Sequence, residues 1–200
     1  MENNISLVMA IVDFIPVILF FISAVILQRD LYDILSKGRF ALLASGSIMV
    51  LIGGIYKATW KILYALGICD FTLMNDAFFP MQAPGFLLVF LSLLGTKWRT
   101  SGIFAVVPPV FSSKLPFIIA QTLGLGGTQI ILMIKSLKMH RKGAAVMFVI
   151  AFVAMLAMGY LGAKFDDSSR MHWLAQATNI VSQLSLLTGV IIIHKQLDSM

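Results

Sequence analysis

Charge is what this chain has least of. Only 12% of its 200 residues are Asp, Glu, Lys or Arg, against roughly 25% in a soluble domain, while 59% are hydrophobic. With a mean hydropathy of +0.93, that deficit excludes an ordinary soluble domain and implies a polytopic membrane protein. Nearly the whole length is needed for spans, so residues 1–200 read as one transmembrane domain. Cysteine is scarcer still: Cys69 stands alone, which excludes an intrachain disulfide and a thiolate metal cluster. The three histidines, His140, His172 and His194, fall in different segments, and catalytic zinc needs three protein ligands that can meet. Also missing are a Gly-x-Ser-x-Gly elbow, paired intramembrane aspartates, a Cys/His dyad, a Lys between Met171 and Ile193 for a retinal Schiff base, and a Gly-Lys-Ser/Thr phosphate loop. The balance leans away from an enzyme, and no cofactor or metal is expected.

The charge that is present is basic. A net +6 in a soluble protein would suggest nucleic acid. Here it lies in short loops between apolar runs, where it reads as topology and contact with anionic lipid. The start, Met1-Glu2-Asn3-Asn4, has no basic n-region, and the run Ile5–Gln28 carries Asp13. It is expected to be a retained first helix.

Six runs have spanning length: 5–28, 40–66, 78–95, 115–137, 144–164 and 172–194. Between the third and fourth lies an apolar stretch broken by Pro108-Pro109, a pair that disrupts an ordinary helix interior. If residues 100–113 stay on one side, the dense basic run Lys135–Lys142 falls opposite Lys37, Arg39, Lys97 and Arg99. If they cross, all these basic segments share one face with Lys195. The positive-inside rule therefore favours seven helices, the N-terminus outside and the C-terminus cytoplasmic; six plus a re-entrant segment is the alternative. Lys57 and Lys61 dissent, since they end up on the outer side, where long side chains snorkel to the interface.

A weak internal repeat agrees with seven. Met81-Gln82-Ala83 matches Ala175-Gln176-Ala177, and Gly95 and Gly189 follow at the same offset of 94. Ile55-Tyr56 resembles Gly159-Tyr160, and Lys37-Gly38 resembles Lys142-Gly143. Segments 5–95 and 115–194 would be two parallel three-helix bundles joined by a linker, 100–113. That 3+1+3 plan resembles the layout of the SWEET sugar transporters and the wider PQ-loop group, which implies a solute path between the bundles. In those transporters proline hinges recur in both bundles. Pro16 and Pro116 fit the pattern, helices two and six have none, and the repeat mate of Asn179 is Gly85. The likeness is one of layout and assigns no membership.

The most telling pattern is a polar stripe on the last helix. His172, Gln176, Asn179 and Gln183 follow one another at spacings of 4, 3 and 4 residues, which places them within an arc of about 60°. Such groups find no partner in hydrocarbon, so the stripe must face a bundle interior or a wet cavity. Interhelical bonding needs one or two polar residues; four over about 16 Å indicate a lining for a small polar solute. Asp13, two turns into the first helix, needs a partner or must be protonated, and Lys57 is the candidate. Tyr56, Gln82 and Gln121 would supply the facing wall. Gly124-Leu-Gly126-Gly127 in the helix of Gln121 suits close helix packing more than a ligand.

These residues lead to binding or translocation of a small polar solute. Two alternatives remain. One is a lipid hydrolase: Asp13 and His172-x-x-x-Gln176 resemble, in outline, the intramembrane Asp and His ligands of the alkaline ceramidase group, although Gln176 stands where a second His would be wanted. The other is a non-catalytic assembly subunit. Substrate and oligomeric state are not encoded in any motif.

Overall fold

The computed structural model describes residues 6–94, 115–163 and 169–197. Those residues are all-helical, and five helices are long and apolar enough to cross a membrane. The elements are α1 (Leu7–Val12), α2 (Phe14–Leu31), α3 (Lys37–Ala65), α4 (Thr72–Asp76), α5 (Phe78–Leu93), α6 (Leu115–Lys138), α7 (Lys142–Ala163) and α8 (Ser169–Leu197). The spans are α1–α2, α3, α4–α5, α6 and α8; α7 adds a further apolar helix. Seven spans are not seen among the described residues. The linker expected at 100–113, together with Lys97 and Arg99, lies outside them.

Two of the spans are broken, and proline explains both breaks. Its ring clashes with the carbonyl four residues back and its nitrogen donates nothing. Pro16 thus disrupts the helix at Val12, and α1 ends there, with Asp13 at the junction. Pro80 acts in the same way on Asp76, where α4 ends before α5 begins.

Neighbours in sequence are neighbours in space. α2 packs on α3, α3 on α5, α5 on α6, α6 on α7 and α7 on α8, and α8 returns to α2. The result is a ring of six helices. Its outer surface is apolar, with Ile11, Ile18, Phe21, Ile48, Val153 and Val181 all exposed, while its interior holds Ser23, Ser47, Thr128, Gln129, Gln176 and Gln183. That inversion of the soluble pattern suits a hydrocarbon surround. Phe20, Leu43, Phe86, Leu125, Phe148 and Val190 fill much of the centre, where Phe20 meets Phe86 edge-on at 5.7 Å.

Helix direction follows from who meets whom. Arg39 bonds to Ser92 and Gln82 to Val50, so α3 and α5 are antiparallel. Ser182 bonds to Ala151 while Gly189 packs on Phe148, so α7 and α8 are antiparallel too. The two remaining seams differ. Gln121 meets Gln82, Gly124 lies on Phe86–Leu87, and Gly127 lies on Phe90; numbers rise together, and α5 and α6 are parallel. Gln176 meets Met9 and His194 meets Asp30, so the first and last helices are parallel as well. One end of the ring therefore holds the starts of α1, α6 and α8 with the loop around Asp70. The other holds Lys37, Arg39, Lys138, Arg141, Lys142 and Lys195.

The glycines of α6 serve this packing. A Cβ on Gly124 would come within 2.6 Å of the α5 backbone, and one on Gly127 would enter the Phe90 ring. As the sequence suggested, they are contact residues rather than a ligand loop. Both well-formed helix stops share one hydrogen-bond pattern. After α3, Gly67 and Ile68 donate to the Tyr64 and Leu63 carbonyls; after α6, His140 and Arg141 donate to Leu137 and Ser136. Each needs a left-handed residue: Gly67 at φ +67 and His140 at φ +56.

Candidate functional site: buried amides along the ring axis

At the Asp70 end, α8 meets α1 through Gln176. Gln176, 4% exposed, donates from Nε2 to the Met9 carbonyl at 3.3 Å, and its Oε1 accepts nothing. His172, nearer the end, and Asn179, one turn further in, are half-buried. Gln183 is 7% exposed, again with an unpaired Oε1. Gln176 and Gln183 thus face inward as the 3.6-residue period requires.

Asp13 does find an ammonium, but not the expected one. Its carboxylate lies 2.6 Å from Lys61 Nζ, both side chains nearly buried. Lys57 instead lies over the Phe78 ring, 4.1 Å from its centroid. Two adjacent glycines account for the difference. Gly53 rests on Phe78, Met81 and Gln82 of α5, whereas Gly54 rests on Val17 of α2. Lys57 follows Gly53 by one turn and shares its face; Lys61 follows Gly54 by two turns and so points to α2. Tyr56 also departs from expectation. It is 38% exposed on the outer surface of α3, because Gly53 and Gly54 claim the inner face, and it takes no part in the wall.

Opposite α8, Gln82 donates to the Val50 carbonyl at 3.3 Å and accepts from Gln121 Nε2 at 3.4 Å. Gln121 Oε1 is left unpaired and buried. Deeper along α6, Gln129 is 1% exposed with both amide atoms unpaired. Neither Lys61 nor Gln129 was singled out for the site from the sequence, although a mid-span amide is itself a sufficient signal.

A cavity at the centre of the ring lies below Gln82, Gln121 and Gln176. It measures about 20 Å³ and is bordered by Phe20, Ser23, Ser47, Phe86, Thr128 and Leu186 among others, room for about one water. Its hydroxyls donate to their own helices: Ser23 to Leu19, Ser47 to Leu43 and Thr128 to Gly124. It includes none of the expected lining residues. Beyond it, at the basic end, Asp30 and His194 Nδ1 meet at 2.7 Å and Arg39 donates to the Ser92 carbonyl at 2.8 Å. Among the described residues no three His, Cys, Asp or Glu side chains gather, so the hydrolase alternative gains no ligand set there.

No protein-family model, curated protein or solved structure matches the chain.

Proposed function

We propose that this is a multi-pass membrane protein that binds or translocates a small polar solute along the axis of its helix ring, with α8 as the principal lining. The observation that carries this reading is the set of buried amide oxygens on Gln121, Gln176 and Gln183 that have no partner among the described residues. A polar atom buried without a partner costs about 1–3 kcal/mol, and helix glue would have satisfied it. A solute, or the water that precedes one, repays the cost on binding.

The topology in this proposal has seven spans. α5 ends at one end of the ring and α6, parallel to it, begins at the other, which supports a further crossing between them. The basic ends of α2, α6 and α8 then share one side, the cytoplasm, and the N-terminus lies outside. The repeat enters in the same way. Gln82 and Gln176, an offset of 94 apart, both bond across a seam between parallel helices, as parallel repeats would have them do. Membrane lipids cover the apolar surface.

The test is stopped-flow light scattering from proteoliposomes challenged with gradients of small polar solutes. We expect solute-dependent volume changes faster than in empty vesicles, and their loss in Gln183→Leu with thermal unfolding unchanged or raised. A Gln183→Leu protein that unfolds more easily, together with no movement of any solute by the parent chain, would leave the amides as packing groups.

A further inference from the structure

The amide orientations narrow the solute, and this step rests on the reading above. A carboxamide carries one acceptor oxygen and one donor nitrogen, and which end faces inward is ordinarily an assignment. Here the protein backbone makes the choice. The Met9 carbonyl can only accept, so Gln176 must give it Nε2 and keep Oε1 free. The Val50 carbonyl can only accept, so Gln82 must give it Nε2 and offer Oε1 to Gln121. Gln121 must then spend its own Nε2 on Gln82, and its Oε1 is the atom left over. Two backbone carbonyls thus settle three side chains, and Gln183 adds a fourth with Oε1 unpaired. What remains unpaired on Gln176, Gln121 and Gln183 is a file of acceptors.

Their depths can be read from the packing. Gly54 lies beside both Val17 and Gln82, and Gln82 bonds Gln121, which makes these four level. Gln176 is level with Met9 and His194 with Asp30; interpolation along α8 brings Gln183 to the depth of Val17. Gln176 lies about 10 Å nearer the Asp70 end. Between these levels lies Asp13, its charge balanced by Lys61. Gln129, which has a free donor as well, lies about 12 Å beyond Gln121, level with the apolar centre, and belongs to a separate step. The loop above the file, from Leu66 to Ala77, contains Asp70 and Asp76 and no Lys, Arg or His, while Arg170 and His172 begin α8 at the same end.

We infer that the outer part of the path takes a small cation bearing N–H donors, of the ammonium or amidinium class, and rejects anions. Buried, unpaired amide oxygens present the negative ends of their dipoles, which favours positive charge as backbone carbonyls do in cation filters. An anion would meet the same oxygens with its own lone pairs. A neutral solute gains hydrogen bonds without the charge term.

Three planar solutes of nearly equal size separate these cases: guanidinium with donors only, urea with both kinds of group, and nitrate with acceptors only. Tetramethylammonium supplies charge without a donor. With the full chain in proteoliposomes and the potential clamped by potassium and valinomycin, guanidinium should enter at least tenfold faster than the other three. In Gln121→Met its rate should fall about tenfold. The comparison among solutes uses the parent protein, so it stands even if that variant fails to fold. Faster movement of nitrate or urea would overturn the inference while leaving a solute path in place. Equal rates for tetramethylammonium and guanidinium would overturn the donor requirement. No movement of any of the four would remove this inference and the proposed function together.

Discussion

Gln82 and Gln121 meet at 3.4 Å on two helices that run in the same direction. Consecutive helices in a simple up-and-down bundle run in opposite directions, so this pair carries topological information that neither residue holds alone. A second parallel contact, Gln176 with Met9, repeats it on the far side of the ring.

The sidedness this demands can be measured directly. Cys69 is exposed in the loop at the Asp70 end and should react with an impermeant maleimide from outside the cell. In a Cys69→Ser background, single cysteines at Lys37, Lys138 and Lys195 should react only from the cytoplasmic side. The positions Arg99 and Asp167 lie outside the described residues and should label inside and outside respectively. Labelling of Lys138→Cys from the side of Cys69 would break the parallel pairing and restore six spans.

Much of this was legible in the sequence, and the residues show where legibility stopped. The five helices long and apolar enough to cross a membrane were readable because hydrocarbon tolerates no unpaired backbone, so a span needs a long apolar run; residues 100–113, short and broken by Pro108-Pro109, were not readable in that way. The inward stripe was readable because a helical period projects Gln176 and Gln183 onto one face. The partner of Asp13 was not. Choosing Lys61 over Lys57 depends on α3 resting Gly53 on α5 and Gly54 on α2, a rotation fixed by tertiary packing. The breaks after Val12 and Asp76 were implicit in Pro16 and Pro80, whose spacing from each break is the same. The free ends of the amides were out of reach, since they depend on which carbonyls the folded backbone aims at them.

The Asp13–Lys61 pair makes a double-mutant prediction. Lys61→Met strands a carboxylate among helices and should cost stability, by about 3 kcal/mol if the site behaves as other buried pairs do. Replacing both residues, Asp13→Leu with Lys61→Met, should cost clearly less, because two apolar groups leave no charge to desolvate. Thermal unfolding in detergent gives the comparison. A double variant as unstable as the single one would mean that the pair contributes packing rather than compensated charge.

Backbone conformation supplies a prediction of opposite signs. His140 ends α6 at φ +56, a conformation that costs an L-residue roughly 1–2 kcal/mol and glycine almost nothing. His140→Gly should raise the unfolding temperature, and Gly67→Ala, at φ +67 with open space around it, should lower it. Gly46→Ala should be worse than either. Its Cβ would stand 2.5 Å from the Gly85 carbonyl and 2.9 Å from the Val89 nitrogen, and backbone cannot yield as a side chain does, so a loss of about 1–3 kcal/mol is expected.

Asn179 offers the sharpest separation of function from stability. It lies between Gln176 and Gln183 on the same face of α8 and is half-buried, so its removal opens no large void in the fully packed core. If the stripe lines a path, Asn179→Leu should place an apolar side chain across it and reduce guanidinium entry at least tenfold. Expression and thermal unfolding should stay near the parent values, since leucine is a strong helix former and Asn179 has no hydrogen-bond partner among the described residues. Gln129→Leu is the contrasting variant. Both of its amide atoms are buried and unpaired, so an apolar replacement should stabilise the fold by about 1–3 kcal/mol whether or not solute passes. A stripe that served only as glue would reverse the first result: Asn179→Leu would unfold more readily, and entry would fall only in proportion to the folded protein lost.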